Sequence, residues 1–455
     1  MRKKKNSGIK VLIIAISITL SLAYLYNLNM FERVAPTVEL PKKINWNLKE
    51  PLSIKMNDER GIKFIRAVLS DGKNSIVLAK KLFSVSKKEY ILDIEFPRTG
   101  FVSNKEYFEL TVEVIDSSKW NFFSGNKIVK KSIIEVDAKE PELFVINNSY
   151  KIIKGGIATV VFKAKDKNLK EVYIETNFGK IFEPTPFYKD NHYISLIAWP
   201  RYEEEFKATI VAVDYAGNVS KSRVRVYLRG KKYKVSNLTL KDAFLDGKIT
   251  DIAEKENLNS TNMSRVEKFK YVNEEIREKN EKIIAEVSNK VSKKMINSFT
   301  MKPFYPLKRA AAVASFGDHR YFKYKDELIS ESYHMGLDFA STAKADVVVS
   351  NPGLVVYAKY NGIYGKNIIV SHGLGVYSLY AHNSVLLVKE GELVNAGDVI
   401  AKTGTSGLAL GDHLHFGMLV QGVAVRPEEW MDKNWMKDNI FEIIKLAKEV
   451  IKSST

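Results

Sequence analysis

No cysteine occurs anywhere in the 455 residues, which excludes disulfides, thiolate metal sites and cysteine nucleophiles. Any metal must be held by histidine and carboxylate side chains, and histidine is itself scarce, at seven. Negative charge is also in deficit: 71 Lys plus Arg against 53 Asp plus Glu leave a net +18. Such an excess favours an anionic neighbour (nucleic acid, lipid head groups or an acidic cell-wall polymer) or else serves solubility, since the lysines are spread along the chain. No arginine-rich or aromatic-interleaved stretch of the nucleic-acid-binding kind is present, so nucleic acid is not an expected partner. Hydrophobic residues at 45% and charged residues at 27% are ordinary globular values, and the length suits about three domains.

A charge-free apolar run, residues 11–31, follows the basic start Met1-Arg-Lys-Lys-Lys5. As a helix its 21 residues would extend about 31 Å, roughly a hydrocarbon thickness. The reading is a single-pass anchor in the cytoplasmic membrane within residues 1–36, with the bulk of the chain outside that membrane or in a periplasm. A cleaved signal peptide is the alternative, with Ser21-Leu22-Ala23 available for cutting. Under both, the remainder leaves the cytoplasm.

Two later segments share a pattern. Phe108–Asp116 aligns with Phe206–Asp214, and each is followed by Gly-Asn, at Gly125-Asn126 and Gly217-Asn218. Alternating runs at 133–136 and 224–227 look like strands leaving a turn. The 98-residue offset suits β-sandwiches of about 100 residues. Val213–Val219 resembles the late strand and turn of bacterial immunoglobulin-like repeats, which implies two such domains, residues 37–138 and 139–230, with one irregular β domain as the alternative. Residues 231–301 read as a helical linker. Ser264 with Glu267 forms a capping box, and Val266, Phe269, Val272, Ile276, Ile283, Val287 and Val291 recur at helical spacing, predicting one helix of about 33 residues. Such a helix is a spacer, a coiled-coil arm or a lid, and simple amphipathic packing fits it best. Residues 302–432 return to short strands punctuated by glycine, an antiparallel β domain, and a helix near 439–451 closes the chain. The expected fold class is thus mostly β with a helical linker.

Six of the seven histidines lie between His319 and His415. Four stand in two patterns: His334-Met-Gly-Leu-Asp338, and His382 with His413-Leu-His415. In an extended segment His413 and His415 project from one face. A hydrolytic zinc site uses three protein ligands and leaves one position open, a count met by His334, Asp338 and one histidine of the pair. Zinc suits imidazole and carboxylate in a chain without thiols.

The run from Ser315-Phe-Gly317 through His334-Met-Gly-Leu-Asp338, Gly365, His372-Gly373, Leu379-Tyr-Ala-His382, Gly391, Gly397, Gly404-Thr-Ser-Gly407 and His413-Leu-His415-Phe416 resembles the catalytic domain of LytM/lysostaphin-type zinc metallopeptidases. The resemblance implies an endopeptidase acting on the peptide cross-links or stems of peptidoglycan. It implies one Zn²⁺ held by His334, Asp338 and His415, with His382 and His413 unligated beside it as general base and oxyanion donor in an order left open. It also implies that His372 is no ligand, and a hydrogen-bonded core role fits it. His319 and His192 match no role, and Tyr333 and Tyr377 are read as packing residues. Asn383 departs from the family's usual apolar residue without touching a catalytic group. The alternative is a catalytically silent relative that binds the wall or activates another wall hydrolase. A carrier hairpin around residues 388–400 lacks the required lysine motif, and a purely adhesive role for the repeats is the last rival. The sandwich domains or the helix are further candidates for contact with a protein partner.

Overall fold

The computed structural model describes residues 7–96 and 105–453. The chain divides into two compact units: one holds the residues up to Pro141 with the short pieces Asn168–Lys170 and Val213–Val219, and the other holds the rest.

The first unit begins with the helix Ser7–Tyr26, which gives way to a 3-10 turn at Asn29–Phe31. Only residues 11–26 of the charge-free run are therefore helical, about 24 Å at 1.5 Å per residue. That falls short of a hydrocarbon core of about 30 Å. Among the described residues no helix is long and apolar enough to cross a membrane, so the expected anchor is not supported. The basic residues 1–6 lie outside the described residues.

The expected first sandwich is instead one six-stranded sheet, in the order Thr37–Val38, Leu52–Ser70, Tyr107–Asp116, Lys127–Val136, Lys43–Trp46, with Ser75–Ile94 paired to Leu52–Ser70. The reason is the length of that hairpin. Its 19- and 20-residue strands pair along nearly their whole extent and keep all six strands in one ladder. Phe108, Leu110, Val112 and Val114 alternate into its core, where all four are buried.

The second β segment does form two four-stranded sheets. One runs Ile181–Phe182, Leu169–Thr176, Ala208–Asp214, Val219–Arg223, and the other Thr185–Pro186, His192–Ala198, Ile157–Lys165, Glu142–Asn148. Residues 224–226 are not strand, so the predicted run there is broken. The internal repeat survives as a local device. Asn126 donates from its backbone and side-chain nitrogens to Asp116 at 2.7 and 2.8 Å, and Asn218 does the same to Asp214 at 2.8 and 2.8 Å. All four residues are buried, and the clasp satisfies a carboxylate that burial would otherwise penalise. Gly125 and Gly217 turn the chain into it at φ of 84° and 87°.

The linker contributes to the C-terminal β domain. Its strand Val235–Thr239 runs parallel to His319–Tyr324, which pairs with Glu327–Tyr333. The capping box at Ser264 is formed, and helical structure runs from Arg265 to Val287 with a π-helical turn at Tyr271–Ile276. This is shorter than expected. Ser288 leaves helical geometry while its hydroxyl donates to Ile284 O at 2.6 Å, so Val291 is not on the helix. Phe269, Val272, Ile276 and Ile284 share a core with Tyr364, Ile369, Tyr377, Leu379 and Leu419, so the helix is packed onto the β domain rather than standing free.

The main sheet of that domain runs Ala311–Ala314, Leu337–Ala340, Leu414–Val420, Val376–Asn383, Lys366–Ser371, Gly353–Tyr360, Leu393–Val394, with Val423–Val425 beside Leu414–Val420. The final helix, Glu442–Ser453, packs on the strands Glu142–Asn148 and Ile157–Lys165. Thr159 and Ser149 both donate to Asn439 O just before it.

Candidate metal centre

Asp338 and His415 are direct partners across the antiparallel strands Leu337–Ala340 and Leu414–Val420, so their side chains emerge on one face. His334 reaches the same point from the end of the hairpin strand Glu327–Tyr333. His334 Nε2 lies 3.0 Å from Asp338 Oδ1 and 3.0 Å from His415 Nδ1, and His415 Nδ1 lies 2.9 Å from Asp338 Oδ1. All three residues are buried.

The backbone selects the tautomers. His334 Nδ1–H donates to Ser315 O at 2.9 Å, which leaves Nε2 with a lone pair facing the other two atoms. The loop carrying Ser315 is clamped to the same residue, because Gly317 N donates to His334 O at 2.7 Å and His334 N to Asp318 O at 3.0 Å. Three electron-rich atoms packed this closely repel unless a proton or a cation sits among them. Two ligands about 2.0 Å from a tetrahedral zinc stand about 3.3 Å apart, so the observed spacing fits a small divalent ion after a shift of a few tenths of an ångström. Burial would raise the Asp338 carboxyl, yet the close imidazoles of His334 and His415 outweigh it and hold the group well below the usual carboxylate range. Burial pushes His415 down to about 4, which favours the neutral imidazole a metal requires.

Gly336 makes room for this geometry. A Cβ there would stand 2.5 Å from His415 Nε2 and 2.7 Å from Phe416 O, so only glycine lets the loop between His334 and Asp338 cross the imidazole. The Tyr364 ring packs edge-on against the same imidazole at 5.7 Å.

His382 and His413 complete the cluster. Their rings lie 4.8 Å apart, with His382 at 5.7 Å from the ring of His415 and His413 Nε2 at 3.7 Å from Asp338 Oδ1. Strand alternation alone would send His382 to the wrong face, since its neighbour Ala381 is the residue paired with His415. A left-handed backbone at His382, φ 65°, turns the side chain back toward the cleft. His382 Nδ1–H donates to Ser406 O at 2.9 Å and His413 Nδ1–H to Gly411 O at 2.8 Å. In the neutral ring each Nε2 therefore presents a lone pair. Burial, reinforced by His415 and His413, pushes His382 down to about 3, so it is neutral near pH 7. The Ser406 support is tight: a Cβ on Gly365 (φ 61°) would come 2.3 Å from Ser406 Oγ.

The cluster opens into a cleft of about 480 Å³ that is also lined by Lys234, Arg277, Arg320, Tyr333 and Tyr364. Arg320 bonds Asp318 at 3.3 Å and stands 3.9 Å from Asp338 Oδ2, supporting that carboxylate from behind.

All five expected site residues thus meet. The remaining histidines do not join them. His372 bonds Pro352 O at 2.9 Å and Ser378 Oγ at 2.7 Å, with burial pushing it down to about 4, as a core residue should. His319 stacks between Tyr321 and Tyr333 and pairs with Glu331, and His192 bonds Asp190 O in its own turn. Tyr377 packs in the core and donates to Lys290 O, whereas Tyr333 does line the cleft. Asn383 bonds Lys366 O and Tyr380 O, a structural role. Arg277, Arg320, Tyr364 and Gly336 were not anticipated. Of these only Gly336 carried a local signal, its place inside His334-Met-Gly-Leu-Asp338.

Residues 332–427 match the model of Peptidase family M23, so the chain carries an M23 domain at its C-terminus. Over 101 residues it is 35% identical to the peptidoglycan DD-endopeptidase ShyA of Vibrio cholerae, covering 22% of this chain and 23% of that protein. Over 111 residues it is 33% identical to the murein hydrolase activator EnvC of Escherichia coli, covering 24% and 26%. The match thus spans about a quarter of each relative's own length. A putative M23 peptidase from Pseudomonas aeruginosa aligns over 62% of this chain and 95% of its own, at 18% identity and a TM-score of 0.39.

Proposed function

We propose that the M23 domain of this chain is a zinc-dependent endopeptidase that hydrolyses peptide cross-links or stems of peptidoglycan. One observation carries the reading: His334 Nε2, Asp338 Oδ1 and His415 Nδ1 converge within 3.0 Å of one another beside two imidazoles, His382 and His413, that are each held through Nδ1 by a backbone carbonyl. The convergent trio suits zinc, which when bound supplies Lewis acidity that polarises a carbonyl and makes water acidic near neutral pH.

The chain's own groups do the rest. His382 and His413 both spend Nδ1–H on a backbone carbonyl, so neither offers an N–H to an oxyanion at the outset. Each can first accept a proton at Nε2 and only then donate one. The imidazole that takes the proton from the attacking water thereby becomes the cationic donor for the developing oxyanion or the leaving amine, and such general acid–base transfer contributes about 10²–10⁴-fold in rate. Arg320, 3.9 Å from Asp338 Oδ2, helps hold that carboxylate in place.

The alternative is a silent relative that activates another wall hydrolase, and the likeness to EnvC supports it. The presence in this chain of all five donor and proton-handling residues supports the enzyme. Cleavage of wall peptides places the domain outside the cytoplasmic membrane. The test is incubation of the full protein with purified peptidoglycan, with chelator and with zinc restored, and mass spectrometry of the soluble products. Newly freed peptide amines that vanish with chelator and return with zinc support the enzyme. No products from the protein alone, but stimulated release by a second hydrolase, would establish the activator instead.

A further inference from the structure

The cleft beside the metal trio contains a guanidinium that the proposed chemistry does not use. Arg277 sits on the linker helix, and its side chain is 19% exposed. Its Nε donates to Asn273 O at 3.1 Å and its Nη2 to Asn273 Oδ1 at 2.8 Å. Asn273 is itself buried and fixed, donating through Nδ2 to Ser330 Oγ at 2.8 Å and to Glu331 O at 3.2 Å. The nearest carboxylate, Glu281, stands 3.8 Å from Nη1, an ion pair too long for a hydrogen bond. Nη1 is thus turned toward Glu281, and the second N–H of Nη2 makes no hydrogen bond among the described residues. A guanidinium held by two bonds along one edge, with its other edge in a cleft and engaged only by a long ion pair to Glu281, is arranged to receive a planar anion.

The helix is held firmly enough to make that position meaningful. One turn beyond Arg277, Asn280 is buried, accepts from Ile363 N at 2.9 Å through Oδ1, and accepts from Asn361 Nδ2 at 3.2 Å through its backbone carbonyl. A Cβ on Gly362 would meet Asn280 Oδ1 at 2.2 Å, so the turn Gly362–Tyr364 closes around this side chain. Tyr364, at the end of the turn, packs on His415. Arg277 is thus tied through one helical turn and one tight loop to the metal trio. The other cations of the cleft are differently placed: Arg320 is committed to Asp318, and Lys234 stands exposed at the rim.

We propose that Arg277 of the linker helix binds a free carboxylate of the substrate peptide, beside the scissile bond, and so determines specificity for acidic peptides. This rests on the reading of the cleft as a peptide site. The linker then belongs to the substrate groove. Arg277 touches neither the trio nor the two proton-handling imidazoles, so it serves binding and leaves metal uptake to others.

The test compares binding to the zinc-loaded full protein of stem peptides released from peptidoglycan and of the same peptides with their carboxyls converted to methylamides. Calorimetry is run on wild type, Arg277→Gln and Arg277→Lys. Wild type is expected to bind the native peptides about tenfold or more tighter than the amidated ones, the scale of a charge-assisted pair. Arg277→Gln should weaken only the native form, Arg277→Lys should keep part of the preference, and zinc affinity should be the same in all three. A wild type that binds both forms alike, or neither, overturns the proposal, as does a preference that survives in Arg277→Gln or an equal loss for both forms. If Arg277→Gln does not fold, the wild-type comparison and Arg277→Lys decide. Intact discrimination without zinc-dependent cleavage would sink the enzymatic reading alone.

Discussion

Asp338 and His415 face each other across two antiparallel strands with 2.9 Å between Oδ1 and Nδ1. The sheet ladder itself therefore sets the spacing of two of the three candidate metal-binding atoms. Sites built on paired strands hold their geometry better than sites on loops. The third atom, His334 Nε2, depends on a loop, and that is where the site is most open to perturbation.

Gly336→Ala is expected to disturb metal binding without unfolding the domain. The added methyl would lie 2.5 Å from His415 Nε2 and 2.7 Å from a backbone oxygen, so either the imidazole or the loop must move. Overpacking of this kind costs about 1–3 kcal/mol. A competition titration with a zinc-sensitive chelator should show weakened uptake with a modest fall in Tm. Unchanged affinity would mean that the loop relaxes freely.

His382→Ala and His413→Ala are expected to keep zinc and lose rate. Neither Nε2 is one of the three converging atoms, and loss of a general acid–base group costs about 10²–10⁴-fold. Zinc stoichiometry measured beside turnover separates the roles. A variant that loses metal and activity together would make that histidine a ligand.

Stability should depend on pH through two buried groups of opposite sign. Burial pushes Glu429 up to about 8, although Arg426 and the backbone N–H of Ile157 pull it back. The folded state then binds this proton more tightly than the unfolded state does. Its contribution is full below the unfolded value of about 4.3 and is lost as pH rises through about 8. Burial pushes His372 down to about 4, so the folded state resists that proton, and stability is lost as pH falls from about 6.5 toward 4. Between about pH 4.3 and about 6.5 the two slopes oppose each other. Thermal unfolding from about pH 5 to 9 should therefore show Glu429→Gln flattening the decline between about pH 6.5 and about 8 and uncovering the acid limb of His372. A decline of the same slope in both proteins would contradict the assignment.

Local pattern brought out the five residues that the structure gathers at one point, because alternation and short spacing are properties of neighbours in sequence. His413 and His415 share a face as the alternation requires, and the main sheet of the C-terminal domain is antiparallel as its glycine-punctuated short runs indicate. His382 reached the site against its alternation, through a left-handed φ that no pattern of hydrophobic residues announces. Arg277 and Tyr364 belong to the site only through a long-range fold of the linker helix onto the sheet, which leaves no local trace. The first sandwich failed for a related reason. Alternation says which residues face a core but not which strand pairs with which, so a long hairpin could hold six strands in a single ladder. The helix was overestimated at its end because apolar spacing continues to Val291 after Ser288 has left helical geometry.

The most direct measurement is zinc binding by the purified full protein, beside Asp338→Asn and His415→Ala, with peptide release from peptidoglycan followed in the same samples. The account predicts one tightly held zinc per wild-type chain, affinity reduced by more than about 100-fold in both variants, and release that tracks bound zinc. Stoichiometric zinc in His415→Ala, or release that continues in a variant without metal, would contradict it.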